Sequence, residues 1–186
     1  MLLRSVQGMR FHIKDLSLAD NGRYKINVDG ATSHSVFAAA AVIRNSIGAI
    51  IAYQTWFSAQ PLSSGLSIEA DIRAFFVGFE VVVLLHLSGF QIEGDTSLVV
   101  DFINGKDSAI PWQIRPLALD CKYLKVNNNE AIVQHVRADA NSVEHSLARS
   151  SLSCGVSRLW VSDFPLFVIE AAEADMPQTD VDLSSA

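Results

Sequence analysis

The order of strand and helix patterns limits the possible folds more than any other feature of this sequence. Residues 24–29 alternate apolar and polar side chains, and residues 36–44 and 49–57 have the composition of two further strands. Residues 68–87 then predict one long apolar helix. Short turns between the strands favour an antiparallel meander, and a helix of this length can cross over to a parallel strand. We therefore predict an α/β domain with a mixed five-stranded sheet.

The rest of the chain continues with shorter elements and contains no internal repeat. The predicted elements are a strand at 90–93, helices at 97–104 and 111–126, a strand at 131–136 and a helix at 142–153. Gly30 and the polar residues after it predict a turn at the end of the first strand. We expect residues 1–22 to form a leader or linker, 23–175 the domain, and 176–186 a disordered tail.

Composition excludes several classes of protein. Apolar residues make up 49% of the 186 residues and charged residues 18%, so the chain can bury a core. A net charge of −6 argues against holding nucleic acid mainly by diffuse positive charge. Cys121 and Cys154 form no CxxC pair, and neither a secretory signal nor a membrane-spanning stretch is evident. We expect an intracellular protein, cytoplasmic or nuclear, with no membrane segment.

Three carboxylates lie where the predicted fold could bring them together. Asp29 ends the first strand, Asp95 follows the fourth strand, and Glu69 lies in the first turn of the long helix. Carboxylate oxygens are the ligands that Mg²⁺ requires, and paired divalent ions can support phosphodiester hydrolysis. Other interpretations remain open, because Asp29-Gly30 is an ordinary turn pair and Asp95 is a plausible helix cap. Glu69 could likewise belong to a solvated ion-pair stripe on the helix.

Several short motifs in the right order resemble the plant reverse-transcriptase-like RNase H domains. They are Asn27-Val28-Asp29-Gly30-Ala31, Ala41-Val42-Ile43-Arg44-Asn45-Ser46-x-Gly48, Ile68-Glu69-Ala70, Glu93-Gly94-Asp95-Thr96-Ser97, His135-Val136-Arg137, and Asn141-x-x-x-His145-x-Leu147-Ala148-Arg149. The resemblance covers residues 23–175. It implies an RNase H fold with strand order 3-2-1-4-5 and metal-dependent cleavage of the RNA strand of an RNA–DNA hybrid.

The resemblance also implies roles for individual residues. Asp29, Glu69 and Asp95 would be the metal-binding carboxylates for Mg²⁺ or Mn²⁺, and the family's fourth acidic position falls on His145. The chain departs from the family in its second strand, where a run of alanines replaces a glycine-containing stretch. The link 136–141 is also too short for the His-bearing loop of the cellular type 1 enzymes.

Two functions follow as hypotheses. The first is a monomeric endonuclease that acts on RNA–DNA hybrids and contacts their phosphates through five basic residues. The alternative interpretation of these residues is that they are scattered over a solvated surface. They are Lys106, Arg115, Lys122, Lys125 and Arg137. The second is a catalytically impaired module that keeps the fold and binds nucleic acid or a protein partner, as His145 and the negative net charge suggest.

Overall fold

The computed structural model describes residues 23–170, except residues 35, 61, 66, 139, 140 and 167 and the side chain of residue 142. The predicted leader (1–22), the predicted tail (176–186) and residues 171–175 of the predicted domain lie outside the described residues. Along the described chain no helix is both long and apolar enough to cross a bilayer.

The described elements alternate in the order predicted from sequence, with one strand added at the end. They are β1 (Tyr24–Ser33), β2 (Val36–Arg44), β3 (Ile50–Ser58), α1 (Ile68–Leu84), β4 (Phe90–Gly94), α2 (Ser97–Ile103), α3 (Arg115–Val126), β5 (Ile132–His135), α4 (Ser142–Cys154) and β6 (Arg158–Trp160).

These strands form one mixed sheet with the order β5-β4-β1-β2-β3-β6. The hairpin pairs β1–β2 and β2–β3 are antiparallel, whereas β1–β4 and β4–β5 are parallel. Helix α1 makes the crossover from β3 to β4, as predicted. The α/β class and the 3-2-1-4-5 order are confirmed, and β6 corrects the strand number from five to six.

Strand β6 is short and depends on tertiary contacts. It pairs antiparallel with β3, the ring of Trp160 stacks on Tyr53 at 4.3 Å, and Thr55 Oγ1 donates a hydrogen bond to the Val156 carbonyl. A three-residue strand is too short to show a period-two pattern, so β6 was not predicted.

Strand β1 continues past the point where the sequence predicted a turn. Gly30 pairs with Ala39 of β2, and the pairing runs on to Ser33. A Cβ atom at Gly30 would overlap the Ala70 carbonyl carbon and lie 2.6 Å from the Asp71 nitrogen. Glycine is therefore required here by the close approach of α1 to the sheet rather than by a turn.

Helices cover both faces of the sheet, and β2 lies between them. Its residues Ala39, Ala41 and Ile43 join the core that β1 and β4 form with α1, α2 and α3. Its residues Ala40 and Val42 join a smaller core with α4. Burial on two faces explains the continuous apolar run of β2, because a strand with one exposed face would alternate.

Candidate active site

Three aspartates from three elements line one small cleft where the parallel pairing of β1 with β4 ends. Asp29 lies within β1, Asp71 in the first turn of α1, and Asp95 directly after β4. The ends of parallel strands at a point where the strand order reverses are common places for a ligand site in α/β sheets. The structure thus brings together Asp29 and Asp95, as the sequence predicted, and adds Asp71.

Two glycines bring the three aspartates close together. Gly30 lets the first turn of α1 lie against β1, as described above. A Cβ atom at Gly94 would lie 2.7 Å from Cζ of Phe75, so this glycine lets α1 pack against the end of β4. Asp29 and Asp95 each adjoin one of these glycines in the chain, and Asp71 adjoins the backbone that Gly30 contacts. The close packing therefore fixes the backbone positions of all three carboxylates.

The structure places Asp71, rather than Glu69, at the helix position of the cleft. Successive helical residues are rotated by about 100°, so these two side chains point in nearly opposite directions. Glu69 is buried beside the loop that precedes α1. Its Oε2 accepts hydrogen bonds from Ser63 Oγ (2.9 Å) and from the backbone nitrogen (2.9 Å) and Oγ (3.1 Å) of Ser64. Glu69 is thus a structural acceptor in this conformation.

Sequence reasoning missed Asp71, although one sequence feature points to it. Gly78 interrupts the apolar helix, and a Cβ atom there would lie 2.9 Å from Val28 Cγ1 of β1. A glycine inside a helix marks the face that closely approaches a neighbour. Asp71 precedes Gly78 by seven residues, about two turns, and so lies on the same face.

The aspartates disfavour one another's charge. Burial, and then the charge of Asp95, raise the pKa of Asp29 to about 6, although His145 and the Gly30 backbone hydrogen bond act in the opposite direction. Burial is also the main cause that raises the pKa of Asp71 to about 7. The hydrogen bond that Thr96 Oγ1 donates to Asp71 Oδ2 at 2.8 Å lowers this pKa, whereas the charges of Asp29 and Asp95 raise it. The cleft therefore concentrates negative charge that has little solvent around it.

His145 lies beside the cleft on the first turns of α4. Its Nδ1 is 3.0 Å from Asp29 Oδ2, and its side chain is about half exposed. The helix is anchored nearby, because Asn141 Nδ2 donates a buried hydrogen bond of 2.9 Å to the Val28 carbonyl. The structure thus places His145 against Asp29. Asp71 and Asp95 interact electrostatically with each other and with Asp29.

The donor set of the cleft fits a hard divalent cation. It consists of three carboxylates, and burial and mutual repulsion raise the pKa values of Asp29 and Asp71, effects that a cation would relieve. As the side chains stand, no group of three or more His, Cys, Asp or Glu in the described ranges is arranged to hold a metal ion. Asp71 is turned towards Thr96 and Asp29 towards His145, so ion binding requires these side chains to reorient.

Four of the five predicted basic contacts lie around α2 and α3. Lys106 pairs with Asp101 (2.7 Å), Lys125 Nζ donates to Asn104 Oδ1 (2.5 Å), and Arg115 and Lys122 lie over the ring of Phe102. Lys122 and Lys125 line a groove of about 260 Å³. Arg137 is exposed just after β5. All five remain predictions as nucleic-acid contacts.

Comparisons with known proteins agree with this architecture. Residues 27–151 match the model of the reverse transcriptase-like family. A search of curated proteins by sequence finds no match.

Several solved structures that resemble the chain are RNase H proteins. The first is RNase H1 from Halobacterium salinarum, with 20% identity, a TM-score of 0.64, and coverage of 72% of this chain and 99% of that chain. A second is the N-terminal RNase H domain of rv2228c from Mycobacterium tuberculosis, with 17% identity, a TM-score of 0.62, and coverage of 71% of this chain and 94% of that chain. A third is LC11-RNase H1, solved in complex with an RNA/DNA hybrid. It has 12% identity, a TM-score of 0.63, and coverage of 71% of this chain and 98% of that chain.

The mixed sheet, the crossover helix and the acidic cleft define a domain with the RNase H-like fold. The family match spans most of the described chain, and the protein belongs to the reverse transcriptase-like family. The resemblance noted from the sequence motifs is confirmed at this level, and the plant subgroup stays a prediction.

Proposed function

We propose that the protein is an RNase H-type endonuclease that cleaves the RNA strand of RNA–DNA hybrids with Mg²⁺ or Mn²⁺. The observation that carries this proposal is the cleft in which Asp29, Asp71 and Asp95 interact electrostatically. The family and the fold support the same activity, and LC11-RNase H1, which shares the fold, was solved with a hybrid.

Within this proposal each carboxylate has a role. Asp29, Asp71 and Asp95 would hold the divalent cation, after Asp71 turns away from Thr96. Such an ion supplies Lewis-acid stabilisation of the developing charge and lowers the pKa of a bound water. The aspartates must be ionised to act as ligands, and the raised pKa of Asp71 sets the need for neutral or higher pH. Gly30 and Gly94 keep the carboxylates in place during the reaction.

Two neighbouring acids on α1 provide a test with a built-in control. Asp71→Asn keeps the shape and the hydrogen bond from Thr96 but removes the charge from the cleft. We expect it to lower the rate of hybrid cleavage at least ~100-fold, because loss of several kcal/mol of transition-state stabilisation has that effect. Glu69→Gln lies two residues away and keeps an oxygen for Ser63 and Ser64. We expect it to cleave within a few-fold of the unmodified protein.

The assay follows release of fragments from a labelled hybrid in Mg²⁺ and in Mn²⁺, with circular dichroism as the check on folding. If Asp71→Asn cleaves as fast as the unmodified protein, the assignment of the cleft fails. If Glu69→Gln is the inactive variant instead, the site is the one that the sequence predicted.

The alternative function is a non-catalytic RNase H-fold module. The observation in its favour is the contact of His145 with Asp29, because an imidazole replaces the fourth carboxylate that the family resemblance implies. Absence of cleavage in either metal by the unmodified protein, together with retained hybrid binding, favours this module over the nuclease.

A further inference from the structure

A groove continues from the cleft between the β1–β2 hairpin and α4. It encloses about 560 Å³, and its polar lining residues are Thr32, Ser33, His145, Arg149 and Ser153. Gly30 lines both the groove and the cleft, and His145 joins them through its contact with Asp29. The groove therefore adjoins the cleft, and it is the neighbouring surface for a chain-like ligand held at the cleft.

The charge of this groove differs from that of the cleft. None of its described lining residues is acidic, although the whole chain carries a net charge of −6. Arg149 is exposed, and its guanidinium forms no ion pair with the part of the chain that the structure describes. In the same groove the hydroxyl of Thr32 can donate a hydrogen bond, whereas Ser153 Oγ already donates to the Arg149 carbonyl and Ser33 Oγ contacts His34 Nδ1. An exposed guanidinium with a hydroxyl donor in the same groove suits a phosphate group.

The spacing of residues along α4 indicates which phosphate of a substrate Arg149 would bind. Arg149 follows His145 by four residues, so the two lie one helical turn apart on the same face. One turn rises about 5.4 Å, which is comparable to the separation of successive phosphates in one strand. We infer that Arg149 holds a phosphate of the RNA strand close to the scissile phosphate in the cleft. This inference rests on the proposed function for the identity of the substrate.

Hybrid binding measured at several salt concentrations provides the first test. Fluorescence anisotropy in EDTA reports affinity without cleavage. We expect Arg149→Gln to weaken binding several-fold and to reduce the slope of log affinity against log salt by about 0.9, the duplex DNA value for one phosphate contact. Arg149→Lys keeps the charge and is expected to retain the slope.

Arg23→Gln is the matched control for charge. Arg23 is an exposed arginine just before β1, and its Nη1 donates to the Glu130 carbonyl. It lies roughly 30 Å from Thr32 in the groove, because the two residues are nine positions apart along an extended strand. We expect Arg23→Gln to leave the slope unchanged. Equal slopes and affinities for Arg149→Gln and Arg23→Gln overturn the inference.

A second test identifies the phosphate by double-mutant coupling. Hybrids with one uncharged methylphosphonate linkage, placed in turn along each strand, are bound to the unmodified protein and to Arg149→Gln. We expect one linkage in the RNA strand, next to the cleavage position, to weaken binding of the unmodified protein and to have little effect on Arg149→Gln. Coupling found only in the DNA strand, or at no linkage, contradicts the inference.

These measurements separate the inference from the proposed function. A protein that binds hybrids through Arg149 but cleaves none retains the groove assignment and loses the nuclease assignment. A protein that cleaves hybrids equally well with Arg149→Gln and Arg23→Gln, with no coupling to any linkage, retains the nuclease and loses the groove.

Discussion

The two faces of the sheet are built differently, although both contribute to the same site. On the α1 face the contact is apolar and close, and Gly30, Gly78 and Gly94 leave no room for a Cβ atom. On the α4 face the core is smaller, and polar groups help to hold the helix. Arg44 and Glu144 form an ion pair there in which both side chains are almost fully buried.

Because of this difference, the side chains that the α1 face positions are held by close packing, whereas those that the α4 face supplies are exposed. The face with close packing supplies Asp71 and determines the positions of Asp29 and Asp95. The face with polar anchors supplies His145 and Arg149, both of which are exposed. We conclude that substitutions on the α1 face change the geometry of the carboxylates, whereas exposed positions on α4 change substrate or metal preference with little effect on folding.

The largest effect is expected for Gly30→Ala. Its Cβ atom would meet backbone atoms of Ala70 and Asp71, which cannot move without shifting α1 away from β1. We expect a loss of roughly 4 kcal/mol in the free energy of unfolding, at the upper end of overpacking effects. Urea unfolding measures it. Gly65→Ala is the control, because Gly65 has a φ of +67° but open space around it, and it is expected to cost only about 1 kcal/mol. Equal losses contradict the close-packing argument.

The buried ion pair on the opposite face gives the next effect. Arg44 Nη2 lies 3.8 Å from Glu144 Oε1, and Glu144 is 1% exposed. Glu144→Ala removes the carboxylate and leaves the buried guanidinium without it, so we expect unfolding to become easier by about 3 kcal/mol. The double variant Arg44→Met with Glu144→Leu is expected to recover most of the loss in the same urea titration. If it does not recover, apolar packing rather than the charge pair holds α4.

The acidic cleft is expected to make the metal-free protein less stable as pH rises. The folded state raises the pKa of Asp71 from its ordinary value of 3.8 to about 7, so it binds more protons than the unfolded state between these values. Stability from this group is therefore full below pH 4 and is lost as pH rises to about 7. Asp71→Asn removes the effect. We expect the free energy of unfolding of this variant to exceed that of the unmodified protein by roughly 2 kcal/mol at pH 8 and by little at pH 4. Thermal unfolding in the presence of EDTA measures the difference.

Glu69→Gln sharpens the same comparison, because Glu69 accepts hydrogen bonds from donors instead of facing other carboxylates. We expect it to lower stability at pH 8. A gain for both variants at pH 8 indicates a general effect of net charge and contradicts the repulsion assigned to the cleft.

The parts of the fold that the sequence predicted are those with a repeating pattern. Strand alternation and one long apolar helix are local, and they led to the element order and to a mixed sheet, whereas the strand order came from the resemblance to RNase H domains. The turn predicted at Gly30 was wrong, because β1 continues past this residue. A glycine beside polar residues has the local composition of a turn. Only the position of α1, a tertiary fact, shows that the residue serves close packing.

The site was predicted in part for a similar reason. Asp29 and Asp95 lie at the ends of strands predicted from the sequence, and such positions alone indicate a shared edge. The choice between Glu69 and Asp71 depends on the rotation of α1 about its axis. That rotation is set by which residues pack on β1, and Gly78, a glycine inside an apolar helix, is a local indication of it.

The smallest predicted effect concerns His145→Asp on the α4 face. His145 contacts Asp29 through Nδ1, and its replacement adds one carboxylate beside the cleft. Mg²⁺ prefers carboxylate oxygen, whereas Mn²⁺ also accepts imidazole nitrogen. We therefore expect the variant to cleave hybrids several-fold faster in Mg²⁺, with a smaller change in Mn²⁺, as measured by initial rates in each metal.

His86→Asp makes the same change in net charge at the far end of α1. His86 is exposed and has a φ of +53°, a conformation that aspartate tolerates. Its Mg²⁺ and Mn²⁺ rates are expected to match those of the unmodified protein. If His145→Asp and His86→Asp behave alike, His145 does not affect the choice of metal. The three aspartates from β1, α1 and β4 then determine it alone, and the α4 face contributes only contacts with the substrate.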